Sequence, residues 1–103
     1  MKLIIITAIK AFESEIKKQL KNAEVTTFSF KDVSGYRDST EDALASNWFS
    51  SEMNITNSIL FFAFVKSENV DLLFKSIHQF NEEQKTQSNI HLAVVNVEQS
   101  NLK

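Results

Sequence analysis

This chain of 103 residues contains no cysteine, no proline and a single glycine. Without cysteine it has no disulfide framework, no thiolate nucleophile and no cysteine-based zinc site, which excludes thiol redox chemistry. Its basic residues are scattered, and its formal net charge is −2. A nucleic-acid-binding protein needs a clustered basic face to displace counterions from phosphates, so we expect no nucleic-acid partner.

Long hydrophobic runs are also missing. No apolar stretch has the length that spans a bilayer, and the run at the amino terminus lacks the length and the cleavage site of a signal peptide. We therefore expect a cytoplasmic protein that is not inserted in a membrane. The length suits one domain with one hydrophobic core, so we predict a single domain over residues 1–103.

The apolar residues of the chain alternate between strand and helix periodicity. Continuous apolar runs of strand length predict strands that are buried on both faces, and a run with alternating polarity predicts a half-exposed edge strand. Steps of three and four residues predict two amphipathic helices. The predicted elements in chain order are strand Leu3–Ile9, helix Phe12–Ala23, strand Val25–Val33, strand Ile59–Val65, helix Val70–Phe80 and strand Ile90–Val97.

This order, β-α-β-β-α-β, predicts an α+β ferredoxin-like sandwich with an antiparallel sheet. Right-handed crossovers place strands one and three in the middle of the sheet and both helices on one face. The other face is also apolar, and a stable monomer seldom exposes such a patch. We therefore predict an obligate oligomer. We also expect either Ile4 or Ile6 to face outward, toward the interface.

Three residues are predicted to shape the ends of these elements. Asn22 is expected to end the first helix, since asparagine tolerates the left-handed conformation. Ser67 is expected to cap the second helix. Gly35, the only glycine, is expected to give backbone freedom where the second strand ends.

At this level the chain resembles the PII-like signalling proteins, the superfamily of the nitrogen regulatory protein P-II. The resemblance rests on the order and pattern of "AIKAF", "ESEIKKQL", "DVSGYR", "ILFFAFV", "SENVDLLFKSI" and "IHLAVV". Gly35 and Arg37 stand where the second strand of that family runs into its T-loop. The resemblance implies a homotrimer with the sheets lining its centre, and a regulatory role in which a ligand is sensed and a partner, such as a membrane transport protein, is bound.

The chain departs from the family where the family binds adenine nucleotide between subunits. The family's glycine-rich B-loop before the last strand reads "EEQKTQSNI" here, without glycine, and the basic tail is missing. Lys85 is the one cation left in that segment. The resemblance implies ligand binding by Gly35, Tyr36, Arg37 and Lys85, but we expect adenine nucleotide to bind weakly or not at all, because glycine is what lets backbone N–H groups approach phosphates.

A long connection, residues 34–57, joins the second and third strands and corresponds to the T-loop. Its length far exceeds that of an ordinary hairpin loop, which is typical of functional segments. Trp48 and Phe49 are candidate anchors for a partner, with Glu41 and Asp42 adding negative charge that suits a basic partner or a cation. The alternative is that this segment packs back on its own trimer and the aromatic residues fill space there.

Two other functions stay open. His78 and His91 with carboxylates could bind a divalent metal, as in a trimer resembling the cation-tolerance family, although no metal-ligand spacing such as H-x-x-x-H is present. A small cofactor-free enzyme is the third alternative. The chain has no cysteine, no G-x-S-x-G and no P-loop, so we expect that it is not an enzyme. No cofactor is assigned; adenine nucleotide and divalent metal are the two candidates.

Overall fold

The structure, a computed structural model, describes residues 1–36 and 55–102. Its elements confirm the predicted β-α-β-β-α-β order. They are β1 (Lys2–Ile9), a 3₁₀ turn (Lys10–Phe12), α1 (Glu13–Asn22), β2 (Ser29–Tyr36), β3 (Ile55–Val65), α2 (Ser67–Glu83) and β4 (His91–Asn96). Among these residues, neither helix is both long enough and apolar enough to cross a membrane.

The four strands form one antiparallel sheet in the order β2-β3-β1-β4. β1 lies between β3 and β4, with Ile5 opposite Phe62 on one side and Ala93 on the other. The two most apolar strands are therefore central, as the sequence predicted. Because every neighbouring pair is antiparallel, β1 and β2 run in the same direction, and their carboxyl ends lie at the same end of the sheet as the start of β3 and of β4.

Both helices cover the same face of the sheet. The core combines alternate strand residues with the inner faces of the helices, and its larger members are Ile4, Ile6, Ile16, Leu20, Ile59, Phe61, Leu73 and Ile77. Burying each such side chain contributes about 1.5–3 kcal/mol. Ile4 and Ile6 are both fully buried, so the expectation that one of them faces outward is wrong. Residues two apart share a face of a strand, and the outward residue is Ile5 between them.

The other side of the sheet, called the open face below, has no helix on it among the described residues. Nine apolar residues define it: Leu3, Ile5, Ile9, Val33, Leu60, Phe62, Phe64, Ala93 and Val95. Phe62, Phe64 and Val95 are 43%, 45% and 45% exposed. Both faces of the sheet are therefore apolar, as predicted, and only one of them is covered by helices in residues 1–36 and 55–102.

The turn from α1 into β2 differs from the prediction. α1 ends at Asn22, but the left-handed residue is Glu24, with φ 63°. The N–H of Val25 donates to the carbonyl of Leu20 over 2.9 Å, and the N–H of Glu24 donates to that of Lys21 over 3.0 Å. This pair of bonds is a Schellman motif, which places the left-handed residue two positions after the last helical residue.

The bounds of two elements also differ from the predicted ones. β2 begins at Ser29 rather than Val25, because Val25 belongs to the turn that closes α1 and is buried there. At the start of α2, Lys66 holds the N-cap position and no side chain caps the helix, so the predicted cap by Ser67 is wrong. Leu73 and Ile77 face the core as predicted, whereas Phe74 faces solvent.

Candidate functional site

The junction between β2 and β3 lies at one end of the sheet. The ladder between these strands ends at Tyr36 opposite Ile55, so residues 37–54 connect two facing strand positions. The predicted insert began at residue 34 and ended at residue 57, but residues 34–36 and 55–57 pair with each other in the ladder. The connection between the paired residues is therefore 37–54. The predicted site residues Arg37, Glu41, Asp42, Trp48 and Phe49 lie outside the described residues.

Gly35 is a strand residue, and its expected role in backbone freedom is wrong. It pairs with Thr56 in the ladder, it is buried, and no glycine of the described chain has positive φ. Glycine within a strand typically marks a place where another group comes close to the backbone. Next to it, Tyr36 is 67% exposed and ends the strand, which leaves its phenol available to a ligand or a partner.

A shallow groove of about 330 Å³ lies beside this junction and was not anticipated from the sequence. Its lining is Lys10, Asp32, Val33, Ser34, Asn57 and Ser58. The ammonium of Lys10 forms an ion pair with the carboxylate of Asp32. The hydrogen bond to Asp32, followed by its negative charge, raises the pKa of Lys10, so the ammonium stays charged. Lys10 and Asp32 come together because β1 and β2 run in the same direction on the two sides of β3. Their pairing therefore depends on the register of β3 with both strands.

Lys85 lies at the same end of the sheet but at its opposite edge. It is exposed on the connection between α2 and β4, whereas Gly35 and Tyr36 are in β2. β3 and β1 separate the two edges, which at the usual strand spacing is about 14 Å. One copy of the chain therefore does not bring Lys85 to Gly35 or Tyr36.

The two histidines are on different parts of the molecule. His78 is exposed on α2, with its Nε2 3.5 Å from Oε1 of Glu82. His91 begins β4 opposite Thr7, on the open face, and burial lowers its pKa. They do not share a site, and in residues 1–36 and 55–102 no group of three or more His, Asp or Glu side chains is placed to hold a metal ion. These findings do not support the divalent-metal alternative.

The open face is the second candidate site, as an interface. Lys31 is the one charged residue at the open-face positions of the described strands. Thr7 lies at the centre of this face, opposite Leu60 and His91. The hydroxyl of Thr7 is buried, and within the described chain it has no hydrogen-bond partner. This surface resembles the interior of a protein more than its exterior.

Comparison with solved structures identifies the fold. CPII, a nitrogen regulatory PII-like protein from Thiomonas intermedia K12 whose structure holds ADP, AMP and bicarbonate, superposes with a TM-score of 0.62. The match covers 96% of this chain and 93% of that chain, at 17% identity. The chain has a PII-like fold. The resemblance seen in the sequence is thus confirmed for the fold, and at this identity the comparison shows the fold alone.

No family model matches the chain, and no curated protein has significant similarity to its sequence. The PII-like pattern is therefore carried by the arrangement of strands and helices rather than by shared residues. The departures noted in the sequence, above all the segment before β4, fall within a fold that is otherwise preserved.

Proposed function

We propose that this chain is a PII-like regulatory protein that senses a small ligand and binds a partner through the segment between β2 and β3. The observation that carries the proposal is the Tyr36–Ile55 pair, which ends the ladder and leaves residues 37–54 to join two facing strand positions. A hairpin could join facing positions with about two to five residues. The residues beyond that hairpin length include Arg37, Trp48 and Phe49, and such residue types dominate recognition surfaces.

The assembly proposed with this function is a homotrimer held through the open face. Support comes from exposed Phe62, Phe64 and Val95 on a face with a single charged residue. Contiguous exposed apolar surface of this kind marks an interaction site. A trimer would also bring the β2 edge of one copy near the β4 edge of the next, which would unite Tyr36 and Lys85 in a site that one chain leaves divided.

The partner we propose is a membrane transport protein. The acidic residues Glu41 and Asp42 suit a basic surface on such a partner. We propose a regulator rather than an enzyme, since the charged groups of the groove beside Lys10 and Asp32 already pair with each other.

Shortening the segment tests the proposal. Replacing residues 38–53 with a short Ser/Gly linker preserves the Tyr36–Ile55 pair, and loop-length effects of about 0.6 kcal/mol per doubling predict a nearly unchanged melting temperature. We expect the variant to assemble like the full chain but to lose capture of partners from detergent-solubilised membranes. A matched variant, Trp48→Phe, should reduce capture without removing it.

Ligand sensing has its own readout in Trp48, the only tryptophan. Its emission in the full chain is measured during addition of AMP, ADP, bicarbonate and a divalent metal. A saturable shift with one of these, which free N-acetyltryptophanamide does not show under the same additions, supports sensing by this segment. Unchanged capture of partners by the shortened variant would contradict the proposed role of residues 37–54, and unfolding of that variant would show that the segment is structural.

A further inference from the structure

The connection between α2 and β4, residues 84–90, is closed by hydrogen bonds to its own side chains. The amide of Thr86 donates to Oε1 of Gln84 over 2.7 Å, and the amide of Ser88 donates to Oγ1 of Thr86 over 3.3 Å. The amide of Ile90 donates to Oδ1 of Asn81 over 2.8 Å. The amide of Gln84 itself donates to the carbonyl of Phe80 over 2.9 Å, as the last bond of the helix.

The same side chains also satisfy the carbonyl groups of the connection. The side-chain nitrogen Nε2 of Gln84 donates to the backbone carbonyl oxygens of Thr86 and Ser88, each over 2.8 Å. The side-chain nitrogen Nδ2 of Asn81 donates to the carbonyl of Ile90 over 2.9 Å. The side chain of Asn81 therefore bonds both the N–H and the carbonyl of Ile90. Two amide side chains thus fix the path from α2 to β4.

These bonds take every second backbone N–H of the connection, at residues 84, 86, 88 and 90. A backbone cradle for phosphate needs successive N–H groups that converge on one anion, usually with a left-handed residue that turns them inward. Glu24 is the one residue of the described chain with positive φ, so the connection contains no left-handed residue. The bonded N–H groups interrupt the successive run that such a cradle needs, and the left-handed residue is absent.

We infer that the α2–β4 connection of this protein is a rigid structural loop and not a phosphate-binding loop. The ligand of the protein is therefore not a nucleotide whose phosphates bind at this connection. This refines the ligand class of the function proposed above and goes beyond the lack of glycine. Backbone donors are present in the connection, but those of residues 86, 88 and 90 are bonded to Gln84, Thr86 and Asn81. Lys85 alone offers a cation, on an exposed and flexible stem.

Amide exchange and calorimetry on the full chain test the inference. We expect the amide protons of Thr86 and Ile90 to exchange slowly, and to shift by no more than those of distant residues when ADP is added. The expected dissociation constant for ADP at this loop is above about 1 mM. Gln84→Ala should speed exchange at Thr86, whereas Gln87→Ala, at an exposed position of the same connection, should leave it unchanged.

Low-micromolar ADP binding that shifts the amides of residues 84–90 and is lost in Lys85→Ala would overturn the inference, and so would fast exchange at both Thr86 and Ile90. ADP binding that leaves those amides unshifted would support it, since the phosphates would then be held elsewhere. None of these outcomes depends on partner capture by residues 37–54, so the inference and the proposed function fail separately.

Discussion

Phe61 and Phe62 are neighbours in β3, yet Phe61 is 1% exposed and Phe62 is 43% exposed. Phe61 packs under the helices against Phe28 and Phe30, with ring centroids 5.6 and 5.3 Å away. Phe62 points to the open face, opposite Ile5. Two residues of the same type therefore differ in burial only because they lie on opposite faces of the sheet. One face completes the fold of the chain, and the other has no helix on it among the described residues.

Substituting these two neighbours gives the largest contrast between the faces. Phe61→Asp should unfold the chain, because loss of a buried Phe costs about 3–5 kcal/mol and a buried unpaired carboxylate adds several more. A domain of this size has only about 5–15 kcal/mol in total. Phe62→Asp should remain folded but become monomeric, since its carboxylate reaches water once the chains separate. Circular dichroism and light scattering measure the two effects.

The contrast between the faces breaks down if both variants unfold, or if Phe62→Asp assembles like the unchanged protein. The first result would make the open face part of the folding core of an inseparable oligomer. The second would mean that the open face is not the interface.

Glu24→Gly sharpens the comparison by acting on the fold without touching either face. A left-handed conformation costs a residue other than glycine about 1–2 kcal/mol. The greater freedom of glycine in the unfolded chain offsets about 0.4–1 kcal/mol of that. We expect a net gain of about 0.5–1 kcal/mol, measured by urea unfolding, with no change in oligomeric state. Glu24→Ala is the matched control, and an equal gain in that variant would refute the backbone explanation.

His91 gives the smallest expected effect, and it reports on the open face. Burial lowers its pKa below the ordinary 6.5, so the unfolded chain binds this proton more readily than the folded chain. Stability should therefore fall as the pH drops below about 6.5. His91→Gln should reduce that dependence, whereas His78→Gln, at an exposed position, should not. Urea unfolding between pH 5 and 8 measures the difference, and identical slopes in all three proteins would contradict this explanation.

Periodicity in the sequence was sufficient for the fold. The runs at Leu3–Ile9 and Ile59–Val65 are apolar at every position except Thr7, and the structure places both strands in the middle of the sheet. The spacing of apolar residues reflects which positions are buried. Together with the right-handed crossover rule, it therefore predicted the sheet order and the uncovered face.

Details that depend on backbone hydrogen bonds were not predictable in the same way. Glu24, not Asn22, takes the left-handed position, because the bonds of the Schellman motif fix that position irrespective of residue preference. The Lys10–Asp32 pair needs the register of three strands. The missing glycines before β4 pointed away from a phosphate loop, but the bonds made by Gln84 required the structure.

The mass of the unchanged protein in solution tests the central claim most directly, that the open face is covered by further copies of the chain. Light scattering at micromolar concentration should give three times the chain mass of 11.8 kDa. A mass of one chain with an intact near-ultraviolet spectrum would contradict the account, because the open face of the unchanged protein would then have no further copy of the chain on it.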